Sequence, residues 1–504
     1  MSLVLQTSDK ITRIILTFTN FNIRMKYKLL IAFAITMFLS QISLAAADGY
    51  QIKVKITPVE KDSMYYLANY FGEKQYIQDS AKADASGWIT FKGNEKLPGG
   101  IYLFVIPSKK YFELIVDKEQ NFSLETDTAD MVKHMVVKNS GDNQKFYDYL
   151  KFIVDKQKEA EDLQAQIRGA KSKQDSIAAQ DKLTALGKEV TDYKTKYIND
   201  YPDFLLSKVF KTSQEPQVPE APMLPDGRKD STFAYRYYKA HYFDNVDFSD
   251  ARLLRTPLFH TKLDTYIKKL VMQIPDSIDK EADMLVAKAR ANPEVFKYVV
   301  WFLTNTYETS NIMGMDAVFV HMAKTYYTKD QATWVDSTTL YKIQERVRIL
   351  EPILIGKKVQ NLILEDTSGT YRSLYNIKTP YTVLLFWDPD CGHCQKVVPE
   401  VKKLYDIVKG KGVEIYAMCT ETEMDKWKKF IREKKLDWIN VADPKYQNNF
   451  RYEFDITSTP QIFLLDSNKV IIAKKIDVGV LADMLSQKLN MKIEGIVNPE
   501  KPAH

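Results

Sequence analysis

The sequence predicts a multidomain protein with an N-terminal all-β sandwich-like domain, an α-helical middle region and a C-terminal α/β domain. Three observations lead to this fold class. The chain has 504 residues, more than one ordinary domain contains. Short alternating segments separated by turn residues fill residues 48–140, whereas apolar residues recur at helical spacing through 141–352. Strand-like and helix-like segments then alternate through 353–492, and residues 493–504 form a tail.

Seven short strand-like segments predict the β-rich domain. Turn residues such as Ala85-Ser86-Gly87 separate them, and this spacing is typical of a small sandwich or barrel. Because the segments carry no cluster of catalytic residue types, we interpret the domain as a packing or recognition module. The segments are residues 51–58, 63–71, 75–84, 88–93, 101–107, 112–117 and 121–127.

The middle region begins with two long amphipathic segments, residues 146–167 and 175–200, which a turn at 169–173 joins into a helical hairpin. Both a solvated hairpin and a dimerising coiled coil are compatible with this pattern. Residues 213–227 carry a proline at every third position, which favours an extended arm over a helix. Six further helical segments follow, and Asn292-Pro293 is a start signal for one of them.

Charge and the N-terminal residues indicate where the protein acts. Residues 1–47 account for most of the net charge of +6; the remaining chain has 66 basic and 64 acidic side chains, so we expect no nucleic-acid partner. From Met25, two lysines, an apolar run and Ala45-Ala46-Ala47 form an export signal with a cleavage site, preceded by an N-terminal extension. We expect export to the periplasm or cell envelope. An uncleaved segment that anchors the chain in the inner membrane is the alternative.

The chemistry is predicted to lie where a buried strand meets a helix. Residues 383–387 are a run of apolar, β-prone side chains, 388–390 interrupt it, and Cys391-Gly392-His393-Cys394 opens a helical pattern. Unpaired backbone N–H groups and the helix dipole favour a thiolate at the first cysteine, and the second is close enough to form a disulfide with it. Such a pair exchanges disulfides with other proteins, since the thiolate is the nucleophile.

The residues FWDPDCGHC, followed by Pro399 and later by Thr459-Pro460, resemble the thioredoxin superfamily, and within it the TlpA/ResA-like thioredoxins of the bacterial envelope. The resemblance covers Gly356 to Leu489. The β-rich domain is similar to a domain of unknown function that precedes envelope thioredoxins in Bacteroidetes-type bacteria. The resemblance implies a C-terminal thioredoxin fold and an enzyme that needs no metal or organic cofactor.

The resemblance also implies roles for individual residues. Cys391 attacks the substrate disulfide, Cys394 resolves the mixed disulfide, and a cis Pro460 faces the pair. The supporting residues expected around them are Trp387, Gly392, His393 and Thr459. From the residues themselves, His393 and the helix terminus should lower the pKa of Cys391 into the range of about 3.5–7.5 that activated thiols show.

Two acidic groups that many relatives use are absent. A carboxylate six residues before the first cysteine would fall on Leu385, and one three residues after the second would fall on Val397. Proton transfer to and from Cys394 must therefore use water, His393 or another carboxylate such as Glu421.

The remaining cysteine chemistry is limited, because the chain has three cysteines. Cys419 ends a predicted strand, and we expect a buried, inert thiol there, with a third redox thiol as the alternative. No second CxxC or nearby histidine pair supplies the further ligands that zinc needs, so we predict no metal site. A peroxidase fingerprint would require proline at 384 and threonine or serine at 388. The chain has leucine and aspartate there, so we reject a peroxidase of this type.

The direction of the reaction stays open in the sequence. The TlpA/ResA likeness implies a reductase of protein disulfides that receives electrons from a membrane donor, whereas the Gly392-His393 dipeptide matches the CGHC of protein disulfide isomerases. A third hypothesis is a partner-binding protein that uses the fold as a scaffold. We expect residues 48–350 to select the partner, and the sequence gives no oligomeric state.

Overall fold

The computed structural model describes residues 49–499, and these form two compact units. The first unit extends to Phe210 and includes Arg255–Pro257; the second contains Lys211–Leu254 and the chain from Leu258 onward. The predicted export signal lies outside the described residues, as does the end of the tail beyond residue 499. Within 49–499, every helix is too short or too polar to cross a membrane.

The N-terminal domain is a β-sandwich, as predicted. Its two four-stranded sheets have the orders β4-β1-β7-β8 and β3-β2-β5-β6. A stack of aromatic rings fills the core, with Phe104 lying 5.6 Å from Tyr65 and 5.0 Å from Phe112 between ring centroids. The last strand was not predicted, because three residues are too few to show alternation. The strands are β1 (Tyr50–Thr57), β2 (Tyr65–Phe71), β3 (Lys74–Ala81), β4 (Trp88–Gly93), β5 (Gly100–Val105), β6 (Tyr111–Val116), β7 (Asn121–Asp127) and β8 (Val136–Lys138).

A helical hairpin completes the first unit. Helices α1 (Gly141–Gly169) and α2 (Lys173–Asp200) begin at the serine N-caps Ser140 and Ser172, whose hydroxyls accept backbone N–H groups. The Asn143 side chain accepts from the N–H of Ile115 at 2.8 Å and donates to its carbonyl at 2.7 Å. This pair of bonds attaches the start of α1 to strand β6.

Residues 213–227 contain no helix or named strand, and the helical part of the second unit follows them. Asn292 caps one of its helices by accepting from the N–H groups of Glu294 and Val295, as its Asn-Pro signal predicts. The helices are α3 (Leu205–Thr212), which crosses the boundary of the two units, then α4 (Phe233–His241), α5 (Pro257–Thr265), α6 (Pro275–Ala289), α7 (Pro293–Glu308), α8 (Asp316–Tyr326) and α9 (Ser337–Leu350).

The C-terminal domain has a mixed seven-stranded sheet with the order β10-β9-β13-β12-β11-β14-β15, flanked by helices. Strand β11 lies inside this sheet, parallel to β12 and antiparallel to β14. Strand β13 and helix α12, each of four residues, were not predicted. The elements are β9 (Ile363–Asp366), β10 (Tyr371–Ser373), β11 (Tyr381–Trp387), α10 (Gly392–Val408), β12 (Val413–Cys419), α11 (Met424–Lys434), β13 (Ile439–Ala442), α12 (Phe450–Glu453), β14 (Gln461–Leu465), β15 (Ile471–Lys474) and α13 (Val478–Leu489).

Candidate functional site

The two cysteines of the CxxC motif lie at the junction of β11 and α10. Strand β11 ends at Trp387, and Cys391 is the N-cap of α10 with extended backbone angles. The Cys391 N–H donates to the carbonyl of Asp388 at 3.2 Å, which closes the turn between strand and helix. The helix N-terminus is therefore directed at the Cys391 sulfur, where its free N–H groups favour negative charge.

Cys391 is the more exposed of the pair and carries the more acidic thiol. Its Sγ atom is partly accessible and lies 3.2 Å from the carbonyl oxygen of Thr459. Partial burial disfavours the thiolate, but hydrogen bonds from the Thr459 side chain, from Cys394 and from the backbone N–H of His393 outweigh it. The pKa of Cys391 is consequently lowered.

Cys394 is fully buried and has the opposite electrostatics. Its side chain has no exposed surface, and the N–H of Asp388 lies 3.4 Å from its Sγ atom. Burial raises the pKa of Cys394 to about 12, which the hydrogen bond from Asp388 only partly offsets. The pair is thus split into an accessible, acidic thiol and a buried, weakly acidic one. The roles of attacking cysteine for Cys391 and resolving cysteine for Cys394 stay predictions.

The Thr459–Pro460 loop faces the cysteine pair. The peptide bond between these residues is cis, and the loop connects α12 to β14. Pro460 lines a groove of about 320 Å³ together with Val397 from α10 and with Lys475 and Ile476. The structure therefore brings together Cys391, Cys394, Thr459 and Pro460, which are up to 69 residues apart in the sequence.

His393 and Gly392 are exposed on the first turn of α10. His393 acts on Cys391 through its backbone N–H, one of the groups that lower the pKa of that thiol. An electrostatic role for the imidazole stays a prediction. A Cβ atom at Gly392 would have no neighbour within 4 Å, so this position has no steric need for glycine.

Trp387 supports the site from within the core. Its ring lies 5.0 Å from that of Phe430 between centroids, in the same buried cluster as Cys394. The indole N–H is buried and has no hydrogen-bond partner in the described part of the chain. Trp387 therefore contributes packing beneath the cysteine pair rather than a polar contact.

The structure disfavours Glu421 as the proton acceptor for Cys394. Its carboxylate accepts the backbone N–H groups of Thr422 at 2.6 Å and Glu423 at 3.1 Å, and these bonds lower its pKa. Leu385 and Val397 occupy the two positions where relatives carry an acid, and both are buried. Of the predicted proton carriers, water and His393 therefore remain.

Cys419 is 1% exposed at the end of β12, where it pairs in register with Trp387. Burial strongly raises the pKa of this thiol, which disfavours a nucleophilic role. Within residues 49–499, no three His, Cys, Asp or Glu side chains come close enough together to bind a metal ion.

One group near the site was not foreseen. Asp455, four residues before Thr459, is buried and forms ion pairs with Arg346 and Lys475. Arg346 is 109 residues away in the sequence, so no local pattern indicates this contact. An aspartate in a segment between two predicted elements resembles any solvated loop residue.

Comparison with known proteins places the C-terminal domain in a family. A solved domain of a possible thiol-disulfide isomerase from Cytophaga hutchinsonii is 45% identical; the match covers 28% of this chain and 95% of that one, with a TM-score of 0.27. The AhpC/TSA family matches residues 355–474. The domain is also similar to the thiol-disulfide oxidoreductase ResA of Bacillus anthracis, at 29% identity over 30% of this chain and 82% of that protein. The C-terminal domain belongs to the TlpA/ResA-like thioredoxins.

The regions that precede the TlpA/ResA-like domain match two domains of unknown function, DUF4369 at residues 50–146 and DUF5106 at residues 170–351. A thioredoxin-like protein from Bacteroides caccae covers more of the chain: it is 18% identical over 54% of this chain and 99% of that one, with a TM-score of 0.43.

Proposed function

We propose that this protein is an exported thiol-disulfide oxidoreductase that reduces the disulfides of proteins in the cell envelope. The observation that carries the proposal is the division of the cysteine pair. Cys391 is accessible with a lowered pKa, Cys394 is buried with a pKa of about 12, and the Thr459–Pro460 loop lies beside them.

The reaction follows from this geometry. The Cys391 thiolate attacks one sulfur of a substrate disulfide, which forms a mixed disulfide and releases the other substrate sulfur as a thiolate. Cys394 loses its proton to water and attacks the Cys391 sulfur, which releases the second substrate thiol. The substrate gains two electrons, and the enzyme is left with a Cys391–Cys394 disulfide. A dithiol donor at the membrane is the proposed source of the electrons that restore the reduced pair.

A reductase assay with insulin as a generic disulfide substrate and dithiothreitol as electron donor tests this function. The full chain should accelerate insulin precipitation, and Cys391→Ser should abolish the acceleration. Cys419→Ala is the matched control, since this third thiol is buried and should leave the rate unchanged. Equal rates for the wild type and Cys391→Ser would overturn the proposal.

A disulfide oxidase or isomerase is the second candidate. The lowered pKa of Cys391 favours it, because a stabilised thiolate makes the corresponding disulfide more oxidising. The reduction potential of the full chain, equilibrated against glutathione, decides between the two. A value near about −270 mV supports a reductase, and one near about −180 mV supports an oxidase or isomerase.

The partner-binding alternative makes a different prediction. If the fold served only as a scaffold, the cysteine pair would show no reversible titration with glutathione. We propose that the two preceding domains select the protein partner, since they form most of the chain and their sequences carry no catalytic cluster. Export to the periplasm is part of the same proposal, and cell fractionation of the full-length protein tests it.

A further inference from the structure

The segment that positions Thr459 contains a buried carboxylate. Asp455 follows helix α12 and precedes Thr459 by four residues, and its side chain is 4% exposed. Lys475 donates to Asp455 Oδ2 at 2.6 Å, and Arg346 binds both carboxylate oxygens, with Nη2 lying 3.0 Å from Oδ2. We call these three residues the Arg346–Asp455–Lys475 triad.

Two cations on one carboxylate keep it ionised despite its burial. Burial alone would raise the pKa of Asp455, but the hydrogen bonds from Arg346 and Lys475 outweigh it and lower that pKa. If one of the two cations is removed, the buried carboxylate is left with only one cation to compensate its charge. The triad therefore constrains the three segments that supply its members.

Those three segments meet next to the Thr459–Pro460 loop. Lys475 follows β15 and lines the groove beside Pro460. Asp455 begins the loop that ends at Thr459 and Pro460. Arg346 comes from helix α9 in the middle region, outside the TlpA/ResA-like domain.

A second contact connects α9 to the same place. The Tyr452 hydroxyl, on α12, donates to Glu345 Oε1 at 2.6 Å. Helix α9 thus contacts both α12 and Asp455, which lies two residues beyond the end of α12. The middle region therefore contacts the segment that directly precedes the Thr459–Pro460 loop.

We infer that Arg346 and Asp455 are positioning residues for the redox reaction, and that through them the middle region holds the Thr459–Pro460 loop against Cys391. Because Thr459 is one of the groups that stabilise the Cys391 thiolate, a loosened loop weakens both substrate alignment and thiol activation. The inference rests on the proposed function. It also changes one expectation from the sequence, since the middle region then affects turnover of every disulfide and not only the capture of a specific partner.

The test uses the full chain with Arg346→Met, which removes the charge and keeps a long side chain. Insulin reduction should lose about tenfold to a hundredfold in kcat/KM, the range expected for a displaced reacting group. The pH at which Cys391 is half alkylated by iodoacetamide should rise. Arg346→Lys, which keeps the positive charge but not the planar two-point contact, should recover part of both losses.

The Lys474–Asp316 ion pair supplies a matched control. It joins β15 to helix α8 and, like the triad, has one buried charged side chain, here that of Lys474, but neither of its residues lies in the Asp455–Pro460 loop. Asp316→Asn should therefore leave kcat/KM and the alkylation profile within about twofold of the wild type. If Arg346→Met does not fold, the double variant Arg346→Met with Asp455→Asn, which removes both charges, replaces it.

Two outcomes would overturn the inference. One is an Arg346 variant that is less stable to heat but has the wild-type rate and alkylation profile. The other is an Asp316→Asn variant that loses as much activity as Arg346→Met, since that would indicate general loosening of the interface. Failure of the proposed function would look different, because the wild type itself would then not reduce insulin. The alkylation profile would still report the position of the loop in that case.

Discussion

The Sγ atom of Cys391 lies 3.2 Å from the carbonyl oxygen of Thr459, a residue 68 positions further along the chain. This contact brings a loop that begins at the buried Asp455 against the nucleophile at the start of α10. The backbone immediately before Pro460 is thus adjacent to the sulfur that a substrate must reach. The reactivity of the Cys391 sulfur and the position of the Thr459–Pro460 loop therefore depend on each other.

Cys394→Ser should trap the mixed disulfide. The serine cannot attack the Cys391 sulfur, so a substrate that has reacted stays covalently bound. Non-reducing electrophoresis and mass spectrometry of the variant mixed with insulin should show a complex that dithiothreitol releases. Cys391→Ser should form none, because the buried Cys394 does not reach the substrate. An equal amount of complex with Cys391→Ser would reverse the assigned roles.

Alkylation of the reduced protein should depend on pH through Cys391. Since only the thiolate reacts, the rate with iodoacetamide should rise with pH through a midpoint below the ordinary thiol value of about 8.5 and then level off. In Cys391→Ser the remaining thiol of the pair, Cys394, is fully buried, and burial is the main cause of its raised pKa in the wild type. This variant should therefore be almost unreactive at pH 8. A midpoint of about 9 or above in the wild type would contradict the lowered pKa.

Trp387→Ala should destabilise the C-terminal domain by about 3–5 kcal/mol, the usual cost of removing a buried large aromatic side chain. Trp387→Phe should cost less, about 1–2 kcal/mol, because the indole N–H forms no hydrogen bond that could be lost. Urea unfolding followed by circular dichroism measures both. Equal losses for the two variants would indicate that a polar contact of the indole matters.

Asp455→Asn should destabilise the protein at neutral pH by about 1–3 kcal/mol, as expected for hydrogen bonds to a charged group. The folded state lowers the pKa of Asp455, so the carboxylate stabilises the fold above its unfolded pKa of about 3.9. That contribution is lost as the pH falls through the folded pKa. The difference in unfolding free energy between wild type and variant should therefore shrink below pH 4. A difference that stays constant down to pH 2 would exclude ionisation of Asp455 as its cause.

The parts of the site that could be predicted are local in the sequence. A buried strand, a short break and a cysteine on the first helical turn occupy consecutive residues, so helix geometry alone predicts which thiol is activated. Thr459 and Pro460 needed the resemblance to a family, because a Thr-Pro pair before a strand has no chemical signature of its own. No sequence pattern indicated Arg346 or Asp455, because the two residues meet only when the middle region packs against the C-terminal domain. Strands β8 and β13, of three and four residues, were missed.

The burial of Cys419 has a practical consequence. Its thiol should not react with Ellman's reagent until strand β12 leaves the sheet. In the native state Cys391 reacts with the reagent, and Cys394 then attacks the Cys391 mixed disulfide and releases a second equivalent. The reduced protein should therefore release two equivalents of the coloured product when folded and three in denaturant. The third equivalent reports unfolding of this one domain within a chain of several, without any introduced label.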